Sequence, residues 1–155
     1  EVPFMKSSLI ARLLRITDKQ INELLSKSNK LKGQISNLQA ALQGLHDERQ
    51  REQRFFVDTA MNSAVDSGDQ AIHGTTIYNT APYIKHMEHR QEQVKHSLSE
   101  CQKILAMVQA QLMAEYQKQQ QYQKLLEHQK EQEKLEVSKR EQAEMDEQVA
   151  AKLGV

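Results

Sequence analysis

The sequence predicts an all-α protein, a long two-helix antiparallel coiled-coil hairpin with an irregular connector at its tip. Three observations predict it. Large apolar residues recur at alternating spacings of three and four in two separate stretches, the pattern of a coiled-coil seam. A cluster of turn formers lies between the stretches. Aromatic residues are only 5% of the chain and Trp is absent, so there is little to fill a thick globular interior. A narrow seam buries one side of a helix and builds a rod, and a rod works through its ends, tip and flanks.

The first helix is expected over residues 7–61, with Ser7 or Ser8 as its N-cap. Its seam reads Ile10, Leu14, Thr17, Ile21, Leu24, Ser28, Leu31, Ile35, Leu38, Leu42, Leu45, Arg49, Glu52 and Phe56. The run from Leu31 to Leu45 is unbroken. Gly33 and Gly44 lie off the seam, and each weakens a helix by about 1 kcal/mol relative to Ala.

The connector is expected over residues 62–82, where Asp66, Ser67, Gly68, Asp69, Gly74, Thr75, Thr76, Asn79 and Pro82 break the periodicity. Pro82 suits the first turn of a following helix, with Asn79 or Thr80 as cap. The second helix is expected over residues 83–151. Its seam reads Ile84, Met87, Val94, Leu98, Cys101, Leu105, Val108, Leu112, Tyr122 and Leu126, and decays beyond Leu126. The Gln-, Lys- and Glu-rich stretch 117–136 is low in complexity but consists of good helix formers. Residues 1–4 read as a cloning remnant before a start at Met5, and residues 5–155 as one hairpin.

Two seam registers compete. If paired residue numbers add to 143, Phe56 faces Met87, Leu45 faces Leu98, Leu38 faces Leu105 and Ile21 faces Tyr122, while Glu52 meets Gln91 and Ser28 meets Glu115. If they add to 136, the apolar layers are as many, but Leu45 faces Gln91 and Ile21 faces Glu115. The first register matches polar with polar and is the expected one. It places Met5 near Ser138, with the last turns of the second helix projecting beyond.

Lysine plus arginine and aspartate plus glutamate each number 21. This balance argues against nucleic acid as a partner. Locally, seven basic residues stand against two acidic ones between Met5 and Lys32, and eight acidic against four basic between Glu127 and Glu147. No apolar run reaches the ~20 residues that span a bilayer, and no signal peptide is apparent, so no direct membrane insertion is expected. Cys101 is the single cysteine, which excludes an internal disulfide and fits a cytoplasmic protein. Its seam position makes it a small buried hydrophobe.

Catalytic chemistry is missing from the sequence. There is no nucleophile–base pair, phosphate-cradling glycine loop or CxxC pair. His86 and His89 share a helix face, but His96 stands about 10 Å further along, and nothing completes a four-ligand metal set. No enzyme activity, cofactor or metal is expected. Tyr116, Tyr122, Leu125 and Leu126 widen the apolar face near the base of the hairpin, which reads first as local packing.

The segment REQAEMDEQVAAK, with Gln142, Met145, Asp146 and Glu147, resembles the Gln-x-x-Met-Asp-Glu and helical tail of the FliJ family of bacterial flagellar type III export, and more distantly its virulence-secretion relatives. The segment YNTAPYIKHMEHR, with Asn79, Tyr83, Ile84 and Met87, resembles the opening of that family's second helix. Helix order and chain length are similar throughout. The resemblance implies a cytoplasmic stalk, peripheral to the membrane, that is similar to the central coiled coil of the rotary ATP synthase gamma subunit. Its implied partners are the hexameric export ATPase, the cytoplasmic domain of the export gate, and export chaperones. By the same resemblance, the gate contact falls on Leu42, Leu45, Tyr83 and Met87. The ATPase contact falls on Lys6, Arg12, Arg15, Gln142, Met145, Asp146 and Glu147. Family members often carry tyrosines near the distal end of helix one, where this chain has Leu42, Leu45, Arg49, Phe55 and Phe56. The rival expectation is a homodimeric scaffold coiled coil without an export role.

Overall fold

A computed structural model describes the backbone of residues 7–63 and 70–154 and the side chains of residues 7–62 and 81–154. Two helices make up the fold, α1 (Ser7–Ser63) and α2 (Gln70–Lys152). They pack against each other as an all-α helical hairpin, and the described residues include no strand. Two compact units result. Unit 1 joins Glu1–Ser26 to Gln109–Val155, and unit 2 is Lys27–Val108.

The seam predicted from spacing is the interior of both units. On α1 every seam residue from Ile10 to Phe56 is buried or half-buried, Ile10 most completely at 1% exposure. Leu9, Ile16 and Leu25, equally apolar but off the seam, are exposed. On α2 the same holds from Ile84 to Leu126, with Cys101 half-buried among them. A two-stranded packing covers only the a and d positions and their immediate flanks. The position of a residue in the heptad therefore outweighs its hydrophobicity. Thr17, Ser28 and Gln91 are buried because they sit on the seam. Thr17 satisfies its hydroxyl by donating to the Leu13 carbonyl, at 2.9 Å.

The expected register is not the one found. With numbers adding to 143, Arg49 would face Val94 and Asp18 would face Leu125. Instead, in unit 2, Arg49 Nη2 donates to Glu88 Oε1 at 2.7 Å and Nη1 to Gln91 Oε1 at 3.4 Å. In unit 1, Gln119 Nε2 donates to Asp18 Oδ1 at 2.6 Å. These partners flank Met87 and Lys118, the residues that the 136 register sets opposite Arg49 and Asp18. Gln91, which this register faces with Leu45, is 7% exposed, as a seam residue is in either register. Half-buried positions on α2 end at Gln132, and 133–154 are exposed throughout. The projecting tail therefore begins earlier than the 143 register implies.

The connector also differs from expectation. Helix α1 runs two residues beyond 61, and α2 begins at Gln70, so Gly74, Thr75, Thr76 and Asn79 lie within a helix and Pro82 stands inside it. Asp66, Ser67, Gly68 and Asp69 lie outside the described residues. Low propensity was read as a break, but propensity is a weak prior. Proline deletes one backbone donor, and a helix long on its C-terminal side carries that loss. At the other end α2 stops where expected. Gly154 takes φ +70, a left-handed conformation in which Gly is the default residue, and Lys152 sits in the last turn. The Gly154 N–H donates to the Ala151 carbonyl at 3.4 Å.

Candidate partner interfaces

The two sets of candidate contact residues occupy separate units. In unit 2, Met87 is only 2% exposed and Leu42 and Leu45 are half-buried. All three serve the seam, and the heptad spacing that exposed them as apolar is the spacing that buries them. Tyr83 differs. It stands at the rim, 37% exposed, and its hydroxyl donates to Glu48 Oε1 at 2.8 Å. That bond holds the proton and, with the neighbouring negative charge, raises the phenol above its ordinary value of 10.0. Sequence reasoning did not single out Glu48. Its position one residue before Arg49, on the same side as the tip of α2, was the available signal. Arg49 adds an ion pair with Glu88, so Glu48, Arg49, Tyr83 and Glu88 form a polar rim that ties the helices together across the seam edge.

Unit 1 carries the second set. Arg12 and Arg15 are exposed on α1, and Gln142, Met145, Asp146 and Glu147 are exposed on α2. Lys6 lies outside the described residues. The structure does not bring the two groups into one patch. The observed register sets Arg12 opposite Lys124, and 18 residues of helix separate Lys124 from Gln142, about 27 Å at 1.5 Å per residue. The tail is instead a lone helix face. Leu135, Met145, Val149 and Leu153, each more than half exposed, return to one side of it. The nearest recess, lined by Lys130, Glu133, Lys134, Val137, Ser138 and Glu141, is an open groove on the flank of this helix.

Among the described residues, the seam holds two buried atoms that no partner satisfies. Arg49 Nε and Glu115 Oε2 are buried without a hydrogen bond. Each such group destabilises the fold by about 1–3 kcal/mol. Glu115 is the residue that the observed register sets opposite Ile21. Its other oxygen lies 3.2 Å from Lys118 Nζ, a bond within one helix turn that does nothing for the buried oxygen.

Among the described residues, no group of three or more His, Cys, Asp and Glu side chains could hold a metal ion. His89 shares a 3.1 Å hydrogen bond with Gln93 on the same helix. No helix among the described residues is long and apolar enough to cross a membrane.

The family model described as "Flagellar FliJ protein" matches residues 6–153. The chain belongs to the FliJ family. That places it in the flagellar export apparatus, as a helical component of protein transport. No curated protein and no solved structure matches it. The FliJ match spans both units, so the long seam, the rim around Tyr83 and the exposed tail all lie within the family's span.

Proposed function

We infer that this chain is a cytoplasmic stalk of the flagellar export apparatus, linking the hexameric export ATPase to the export gate. In that role it hydrolyses nothing itself. It raises the ATPase activity of its neighbour and takes part in the cycling of export chaperones. The observation that carries the reading is the tail. Residues 133–152 form uncovered helix with a stripe of Leu135, Met145 and Val149. An uncovered apolar stripe in a protein of this family suits docking into a ring, and Gln, Lys and Glu around it suit a contact that shifts rather than locks.

Deleting residues 141–155 should leave the hairpin folded, because residues 141–154 are all exposed. It should abolish stimulation of the purified export ATPase. Full stimulation by the shortened protein, with the ring still assembled, would reverse the assignment of the two ends.

The gate contact is proposed for the unit 2 rim, centred on Tyr83 rather than on the buried Met87. Tyr83→Ala should weaken binding to the cytoplasmic domain of the gate. Circular dichroism and ATPase stimulation should stay near normal, since the side chain lies at the rim. Gate affinity equal to that of the unaltered protein would remove Tyr83 from the contact.

A further inference from the structure

The pairing in unit 2 is not the best its own seam could make. In the observed register, Leu45 faces Gln91, Arg49 faces Met87 and Glu52 faces Ile84, three layers that set a polar residue against an apolar one. A slip of one heptad converts most of this. Leu45 would face Leu98, Phe56 would face Met87, and Glu52 would meet Gln91. Gln91, 7% exposed, is held by a bond from Arg49 Nη1 at 3.4 Å, but Arg49 Nε is buried with no partner, so part of the mismatch is present in the structure and not only in the numbering. What holds the observed register is polar, the Arg49–Glu88 pair and the Tyr83–Glu48 bond at the rim and the Arg49–Gln91 bond on the seam. In unit 1 the observed register faces Ile10 with Leu126 and Leu24 with Leu112, which the slip would replace by Glu133 and Gln119. Unit 1 therefore opposes a change that the unit 2 seam favours.

A slip needs slack. Moving the pairing by seven residues shifts one helix about 10 Å along the other, and the chain between them must lengthen to match. The first turns of α2 can provide it. They contain Gly74, Thr75 and Thr76, followed by Pro82, residues that favour helix least. Unwinding them recreates a longer connector.

We propose that unit 2 is a two-register device, in which α1 slides by one heptad against α2 while the first turns of α2 wind or unwind. The two arrangements share the same seam residues in different pairs, so the change is discrete, like a ratchet between packed elements. A ligand that prefers one register shifts the balance by its difference in affinity for the two. The inference is independent of the export role, because it rests on seam pairing alone.

The test uses the full chain with Cys101→Ser. Leu45→Cys with Gln91→Cys reports the observed register, Leu45→Cys with Leu98→Cys the slipped one, and Leu45→Cys with Leu105→Cys a further heptad that neither contains. In a glutathione redox buffer the first two pairs should form intrachain disulfides, with effective concentrations within about 100-fold of each other, as befits a minor state near 1%. The third should stay reduced. Hydrogen exchange supplies a second measurement. Amides of residues 70–76 should be protected in the protein locked through positions 45 and 91, and exchange freely in the one locked through 45 and 98. If the 45–98 pair stays as reduced as the 45–105 control, or forms while protection at 70–76 is unchanged, the two-register device does not exist.

Discussion

Leu31→Asp should lower the thermal midpoint by about 10 °C and the helicity with it. Leu31 is 8% exposed on the α1 seam, and the register faces it with Leu105. A carboxylate there faces an apolar partner with no charge to pair with. An unpaired buried charge destabilises by about 3–5 kcal/mol, and a chain of this size loses about 2–4 °C per kcal/mol. The loss should be cooperative, because the layers on either side lose their shared wall. Lys30→Asp, one residue away but exposed, should change the midpoint by no more than a degree or two. Equal losses in the two variants, read by circular dichroism, would mean that the assigned faces are wrong.

Glu115→Leu should do the reverse and stabilise the protein by about 1–3 kcal/mol, the price of the buried unsatisfied oxygen. The substitution removes Oε2, which has no partner, and forfeits one bond to Lys118 within a helix turn, worth only a few tenths of a kcal/mol. It also adds an apolar side chain facing Ile21. The direction is what matters. Most substitutions destabilise, and a gain of several degrees at this position requires that Glu115 lie against an apolar partner. In the 143 register it would face Ser28, and Leu there would gain little. A melting temperature unchanged or lowered would speak against the register seen here.

These two expectations also show what the sequence discloses and what it withholds. The seam was fully legible. Each residue assigned to it by spacing is buried or half-buried, including Thr17, Ser28 and Arg49, which hydrophobicity alone would have put outside. Periodicity reports which face is covered, and that depends only on local helix geometry. Register depends on the partner. A shift of one heptad keeps every seam residue on the seam, so the pattern is blind to it. Long side chains at the rim decide it, as Arg49 does with Glu88 and Gln119 with Asp18. The start of α2 was misplaced for a related reason. Gly74, Thr75, Thr76 and Pro82 are each poor in a helix, and the readings summed into a loop, yet residues 70–82 are helical.

The exposure of the tail was legible in outline: it is uncovered from residue 133 rather than from about 138. The gate residues rest on resemblance to the family, and three of the four, Leu42, Leu45 and Met87, are also seam residues by spacing and are buried or half-buried. A short motif cannot tell a residue that folds the helix pair from one that meets a partner. Only exposure separates Tyr83 from Met87.

The pairing distances along the chain have a consequence for biosynthesis. Arg49 and Glu88 are 39 residues apart, whereas Gln119 and Asp18 are 101 apart. During synthesis, at ~5–20 residues per second, unit 2 has all of its helix partners once residue 108 has emerged. The first turns of α1 must wait for their partners between residues 115 and 126. Until then Ile10, Leu14 and Ile21 lack the α2 residues they face. Pairing within unit 1 after unit 2 has formed adds little further loop entropy, because the long gap has already been shortened. Unit 2 should therefore form before unit 1. For the roughly 5–20 s of synthesis between residues 26 and 126, the apolar stripe of residues 10–21 waits for its partner.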